Sequence, residues 1–146
     1  MTEPGDNSRS LVFERQMQHP PEKVWRALTE SWLIEEWLMK NDFVAAVGHR
    51  FTVRAQPLPG WAGMTNCEVV TVEAPHQLAY RWGDGTESTN GLITLVTWTL
   101  SPRAGGTLVR MEQSGFRPQD GISFERMGGM WPRLLERMDQ VIGNTQ

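Results

Sequence analysis

The apolar positions of this chain change period along its length. Between residues 48 and 116 they recur mostly every second residue: Phe51 and Val53 alternate with Thr52 and Arg54, and Leu78, Tyr80 and Trp82 share one parity. That period predicts half-buried strands over 48–56, 65–74, 78–82, 92–100 and 107–116. Between them lie PLPGWAGM, an apolar loop; PHQ, a turn; GDGTESTNG, a polar connection with no packing residue; and SPRAGG, a turn with Pro and paired Gly. SLVFERQMQ, at 10–18, is an earlier strand, assigned on length and on β-branched and aromatic content because its alternation is imperfect.

Helical spacing governs two other stretches. In HPPEKVWRALTE a proline suits the first turn, Glu22 suits the positive helix end, and Val24, Trp25 and Leu28 fall on one face. ESWLIEEWLM continues as a second short helix with Leu33, Trp37 and Leu38 on one side. Near the end, Met127, Trp131, Leu134, Met138 and Val141 are spaced by four, three, four and three, a single helical stripe. The order is strand, two short helices, about five strands and a long helix, which implies an α+β layer: an antiparallel sheet covered by the terminal helix. Gly128, Gly129 and Pro132 interrupt the helical pattern beside Trp131. Either a helix begins afresh at Pro132, with Trp131 as an anchor, or it starts near Ile122 and bends at 128–132.

Composition narrows the function classes. A net charge of −3 argues against nucleic acid as the main partner. Lone Cys67 excludes an intramolecular disulfide and a cysteine zinc site, and fits a reducing cytosol. No apolar run approaches the ~20 residues of a membrane span, so the expected location is the cytoplasm. The 146 residues fit one domain over 11–143, with a flexible polar tail at 1–10 and a short tail at 144–146. Seven tryptophans and eight methionines suit either a densely packed core or the lining of a cavity.

Several stretches together resemble the START-like (SRPBCC) helix-grip superfamily, most closely its branch of activators of heat-shock-protein ATPase and their bacterial homologues. HPPEKVWRALTE is similar to the family's opening, EEWL to its Trp-containing segment and GHRFTV to its G-G-x-F strand. VEAPHQLAYRW resembles its V-x-P-x-x-L-x-x-x-W corner, TLVRMEQSGF its T-x-L-x-L-x-x-x-G strand, and GMWPRLLERMDQVI its closing helix. Two features depart from the pattern: Cys67 stands where a strand-start glycine is usual, and Pro132 directly follows the family-like Trp131. The resemblance implies a curved antiparallel sheet wrapped around a long C-terminal helix, with two short helices between the first two strands. It also implies a cavity between sheet and helix.

Alternation and the helical stripe assign the residues facing that cavity: Trp37, Phe51, Val53, Trp82, Val96, Trp98, Met111, Gln113, Met127, Trp131, Leu134 and Met138. Gln113, Thr94 and Arg110 are candidate polar groups among them, and Trp131 is placed beside the mouth. No catalytic residue, metal ligand or cofactor is assigned. His19, His49 and His76 have no ligand spacing and read as turn or surface residues, and Cys67 as a buried inert thiol. Glu30, Glu35 and Glu36 read as a solvated face, Glu112 points outward, and Asp84 and Asp120 fall in loops. Arg15, Arg54, Arg81 and Arg110 read as outward-facing ion-pair partners.

The first function expected is binding of a small hydrophobic molecule without chemistry. The resemblance supplies two alternatives: a co-chaperone-like module acting on a heat-shock ATPase in a stress response, and a cyclase- or hydrolase-type enzyme using the same cavity. A homodimer is a further possibility, with an exposed Trp61 as its contact.

Overall fold

The computed structural model describes residues 8–85 and 91–145. Most of the expected N-terminal tail, the centre of the polar connection after Trp82 and the last residue lie outside the described residues. β1 (Arg9–Met17) opens the fold and is followed by α1 (Pro21–Thr29) and α2 (Ser31–Trp37). β2 (Lys40–Asn41), β3 (Arg50–Arg54), β4 (Met64–Glu73), β5 (Gln77–Trp82), β6 (Thr94–Arg103) and β7 (Gly106–Phe116) come next, and α3 (Gly121–Gly143) closes the chain. The strands make one antiparallel sheet ordered β1-β7-β6-β5-β4-β3-β2. The sheet is curved, and α3 packs beside β1, α1 and α2, the helix-grip arrangement. No helix among the described residues is long and apolar enough to cross a membrane.

Parity sorts the sheet's two faces as expected. Phe51 and Val53, Leu78, Tyr80 and Trp82, Val96 and Trp98, and Met111 and Gln113 are all buried on the inner face. Arg50, Arg54 and Arg81 stand exposed on the other. Three details differ from the sequence reading. β1 begins at Arg9, inside the expected tail; Arg9 pairs with Phe116, and its guanidinium lies 3.9 Å from the Phe124 ring centroid. β2 is two residues long, too short to leave any periodicity. Ser101, Pro102 and Arg103 belong to β6, because the β6–β7 hairpin turns on Ala104 and Gly105, whose φ angles of 53° and 80° match strand twist.

In α1, Pro21 occupies the first turn, where a missing N–H is harmless, and Val24, Ala27 and Leu28 are buried. In α2 the buried residues are Leu33, Ile34 and Trp37; Leu38 lies just past the helix and is partly buried against the core.

α3 is continuous through Pro132, so the helix does not begin afresh there. Pro132 has no N–H to offer the carbonyl four residues back, at Gly128. Pro132 and Gly129 both face solvent. The buried stripe is Trp131, Leu135, Met138 and Ile142, with Leu134 and Val141 only partly buried. Leu134–Leu135 and Val141–Ile142 are adjacent apolar pairs, so the pattern alone left the helix's rotation undetermined by one residue.

Asp120 prepares the entry to α3. Its carboxylate accepts from the Arg117 backbone N–H at 2.7 Å, from Arg117 Nε at 2.9 Å and from Nη2 at 2.7 Å. It is therefore buried and bonded rather than a free loop acid. The Arg117 guanidinium holds the Asp120 carboxyl below its ordinary pKa.

Two outcomes follow for stability. A Cβ at Gly129 meets nothing within 4 Å, so Gly129→Ala should stabilise the fold by about 0.5–1 kcal/mol in denaturant melts. Destabilisation instead would mean that the glycine's freedom is needed to carry Pro132. Because the folded Asp120 pKa is depressed, its contribution is present above the unfolded carboxylate value near ~4 and is lost as pH falls through the folded one. Asp120→Asn should lower the Tm by about 5 °C at pH 7, with the gap from wild type closing as pH falls through the depressed folded-state titration of the carboxyl. A gap that does not depend on pH would assign the effect to packing.

Candidate functional site

Between sheet and helix the expected cavity positions are occupied by side chains. Trp37, Phe51, Val53, Trp82, Val96, Trp98, Met111, Gln113, Trp131 and Met138 are buried, while Met127 and Leu134 are partly buried. The Trp98 ring meets Trp37 and Trp131 edge-on, each at 5.7 Å between centroids. Phe51 meets Phe43 and Tyr80 in the same manner at 5.0 and 5.4 Å. Edge-to-face contacts of this kind add about 0.5–1.5 kcal/mol each beyond area burial.

A hydrogen-bonded file runs through this packing. Trp131 Nε1 donates to Gln113 Oε1 at 2.8 Å, and Gln113 Nε2 donates to Thr94 Oγ1 at 2.9 Å. Thr94 Oγ1 in turn donates to the Trp82 carbonyl at 3.2 Å. Gln113 and Thr94 are therefore engaged in joining α3 to three strands. Trp131 lies ten residues into α3, about 15 Å from its start at 1.5 Å per residue. It sits in the middle of the grip rather than at the mouth, because the helix starts at Gly121 and not at Pro132.

Open space remains at the mouth. A cavity of about 70 Å³ lies under the 55–63 connection, bounded by Met39, Leu58, Gly60, Trp61, Thr65, Trp82, Leu92, Ser123, Arg126, Met127 and Met130. The connection is a compact hairpin: Ala55 N–H bonds Gly63 O, and Leu58 and Trp61 exchange both backbone bonds. Trp61 is half-buried, and its indole N–H donates to Thr65 Oγ1 at 2.9 Å, so it lines the cavity instead of standing free as a dimer contact. Arg126 Nη2 donates to the Pro59 carbonyl at 2.6 Å, fastening the hairpin tip to α3.

Of the expected site residues, the structure brings only Trp82 and Met127 to this cavity; the others form the core that supports it. Met39, Leu92, Ser123, Arg126 and Met130 were not foreseen. The available signal was the PLPGWAGM loop, too apolar for a solvated turn, and Met130 one helical step from Met127.

A larger hollow of about 500 Å³ lies among Asp42, Arg50, Phe51, Thr52, Asn66, Cys67, Glu68, Arg81, Gly83, Asp84 and Ile93, so the expected site residue Phe51 borders it as well. Register places Arg50, Glu68 and Arg81 in one row across β3, β4 and β5, and Arg81 Nη1 lies 3.3 Å from Glu68 Oε1. It is an open trough of mixed lining, in which the charged row stands beside Phe51, Cys67 and Ile93.

The other candidates take structural places. Burial pushes the Cys67 thiol up to about 12, so it stays protonated and unreactive. Arg15 faces α3 rather than solvent: its Nε and His19 Nε2 contact the two oxygens of Asp139, each at 2.9 Å. His19 is thus a tie between the end of β1 and α3. His49 bonds the Asp42 carbonyl at 3.0 Å, and the His76 backbone caps the turn before β5. Arg110 pairs with Glu112 and Glu14 on the outer face, while Arg54 bonds Thr52 Oγ1. Glu30 pairs with Arg26, and Glu35 and Glu36 are exposed. Among the described residues, no three His, Cys, Asp or Glu side chains converge as a metal site requires.

The family comparisons fit this architecture. Residues 18–143 match the family model described as Activator of Hsp90 ATPase homolog 1-like protein. Among solved structures, protein MLL2253 from Mesorhizobium loti is 47% identical, covers 94% of this chain and 99% of its own, and superposes with a TM-score of 0.86. BH1534 from Bacillus halodurans is 28% identical over 92% of this chain and 96% of its own, with a TM-score of 0.75. The Aha1 dimer from Colwellia psychrerythraea shares the fold at 18% identity, covering 92% of this chain and 96% of its own with a TM-score of 0.75. No curated protein matches the sequence. With the model spanning the two short helices, the sheet beyond β1 and the terminal helix, this chain belongs to the Activator of Hsp90 ATPase homolog 1-like family, within the helix-grip superfamily.

Proposed function

We propose that this protein binds a small hydrophobic molecule at the mouth of the grip, beneath the 55–63 hairpin. The observation that carries this reading is the cavity's wall. Met39, Met127 and Met130 supply adaptable thioethers, and Leu58, Trp61, Trp82 and Leu92 supply apolar surface. Thr65, Ser123 and Arg126 contribute the polar groups. An apolar concavity with few oriented polar groups is the usual form of a small-molecule site.

The cavity is small for that task. About 70 Å³ holds roughly two waters at ~30 Å³ each, whereas ligand pockets run to about 300–1,000 Å³. Binding therefore enlarges it. The hairpin tip must lift, breaking the Arg126–Pro59 bond, while the unbranched methionines repack around the guest.

A second reading is contact with a heat-shock ATPase, supported by the family's description and by the charged row Arg50–Glu68–Arg81 on the outer face. Stimulation of a purified Hsp90 ATPase by this chain would favour it, and no stimulation would remove it.

The binding reading is tested with N-phenyl-1-naphthylamine, an uncharged apolar dye whose fluorescence rises on burial. Wild type should bind it saturably, and Met130→Glu, which sets a charge in the apolar wall, should weaken binding at least about tenfold with the fold intact by circular dichroism. Equal affinity in the two proteins would place the dye elsewhere.

A further inference from the structure

The indole N–H groups of this protein are unequal in one respect. Trp37 Nε1 donates to the Ala27 carbonyl at 2.8 Å, Trp98 Nε1 to the Tyr80 hydroxyl at 3.0 Å and Trp131 Nε1 to Gln113 at 2.8 Å. Trp61 and Trp32 donate to Thr65 and Glu30. Trp82 Nε1 is buried with no partner, the one such side-chain nitrogen or oxygen among the described residues. Its residue is 2% exposed, and Trp82 is among the residues that bound the mouth cavity. The Trp131 ring, 6.5 Å away between centroids, offers at most a weak π acceptor.

A buried donor left unmade is expensive, by about 1–3 kcal/mol, and the interior shows how readily the fold satisfies such groups elsewhere. Thr65 Oγ1 accepts from Trp61 and Thr94 Oγ1 from Gln113, and neither oxygen hydrogen-bonds Trp82 Nε1. The rest of the cavity wall is mostly thioether and hydrocarbon, from Met39, Leu58, Leu92, Met127 and Met130, with Ser123 and Arg126 as its further polar groups.

We infer that the guest of this cavity is a neutral apolar molecule bearing an oxygen acceptor, of the ketone, ester or ether class, which receives the Trp82 Nε1–H bond. The inference rests on the cavity being the binding site. A pure hydrocarbon leaves the donor unpaired and gains nothing from it. A carboxylate would be drawn to the Arg126 guanidinium, the wall's one cation, rather than to Trp82 Nε1, and would give up its hydration to a wall that is otherwise mostly apolar. Sites built around a donor reject analogues that lack the acceptor far better than apolar pockets reject extra methylenes.

The test uses a matched pair, 2-acetylnaphthalene and 2-ethylnaphthalene, which differ by a carbonyl oxygen in place of two hydrogens. Each displaces N-phenyl-1-naphthylamine from wild type and from Trp82→Phe. In wild type the ketone should bind about tenfold tighter, although the hydrocarbon leaves water more readily; in Trp82→Phe the preference should vanish. A second readout does not depend on the variant's folding. In ¹H–¹⁵N spectra of wild type, the Trp82 indole resonance should move downfield with the ketone and not with the hydrocarbon. Equal binding of both compounds to wild type, or a ketone preference retained in Trp82→Phe, overturns the inference while leaving the site in place. Failure of both compounds to displace the dye overturns the inference and the site together.

Discussion

The bond from Trp131 Nε1 to Gln113 Oε1 fixes how the terminal helix sits on the sheet. A long amphipathic helix on an apolar sheet can slide or rotate by a residue at little loss of buried area, particularly where Leu134–Leu135 and Val141–Ile142 offer two stripes. A buried donor and acceptor that must meet do not permit that, because either one left alone costs about 1–3 kcal/mol. Gln113 passes the constraint through Thr94 to the Trp82 backbone, so one file of bonds aligns α3 with β7, β6 and β5. The polar ties at the far end, Arg15 and His19 on Asp139, hold the same register from the periphery.

That register decides where empty space can lie. With Trp131 buried at the centre, the rings of Trp98 and Trp82 meet it, and Trp98 in turn meets Trp37, so large side chains pack between helix and sheet. Open apolar space lies in the wedge between the first turns of α3 and the 55–63 hairpin. There the walls are thioether and indole, and the covering element is fastened by a guanidinium on a backbone carbonyl. The order of the closing helix therefore makes physical sense. Ser123, Arg126, Met127 and Met130 bound the wedge, Gly129 and Pro132 face solvent, and Trp131 anchors the helix beyond.

Much of the architecture was legible in the sequence because each element is long enough to show its period. Alternation sorted the two faces of β3, β5, β6 and β7, and the terminal stripe located the helix. The chain's family likeness rested on turns and core residues in the right order. What sequence could not supply was depth. Parity says that Trp98 and Met111 point inward, but it does not say whether they meet space or another ring. Trp82 and Trp98 look alike in the sequence, and only the positions of Tyr80 and the mouth make one donor satisfied and the other not. Likewise Arg15 was read with the outward arginines, although its parity matches Leu11 and Met17, because a charged side chain on the inner face goes against expectation until Asp139 is seen opposite.

The central claim, that guests enter at the mouth and not in the centre of the grip, can be read directly from the methionines. They are distributed between the two regions: Met39, Met127 and Met130 at the cavity, Met111 and Met138 in the packed core. With ¹³C-methyl-labelled methionine, titration of N-phenyl-1-naphthylamine should shift the first three resonances in a saturable way and leave the latter two in place. Shifts at Met111 and Met138 with the mouth methionines silent would contradict the account and return the binding site to the centre of the grip.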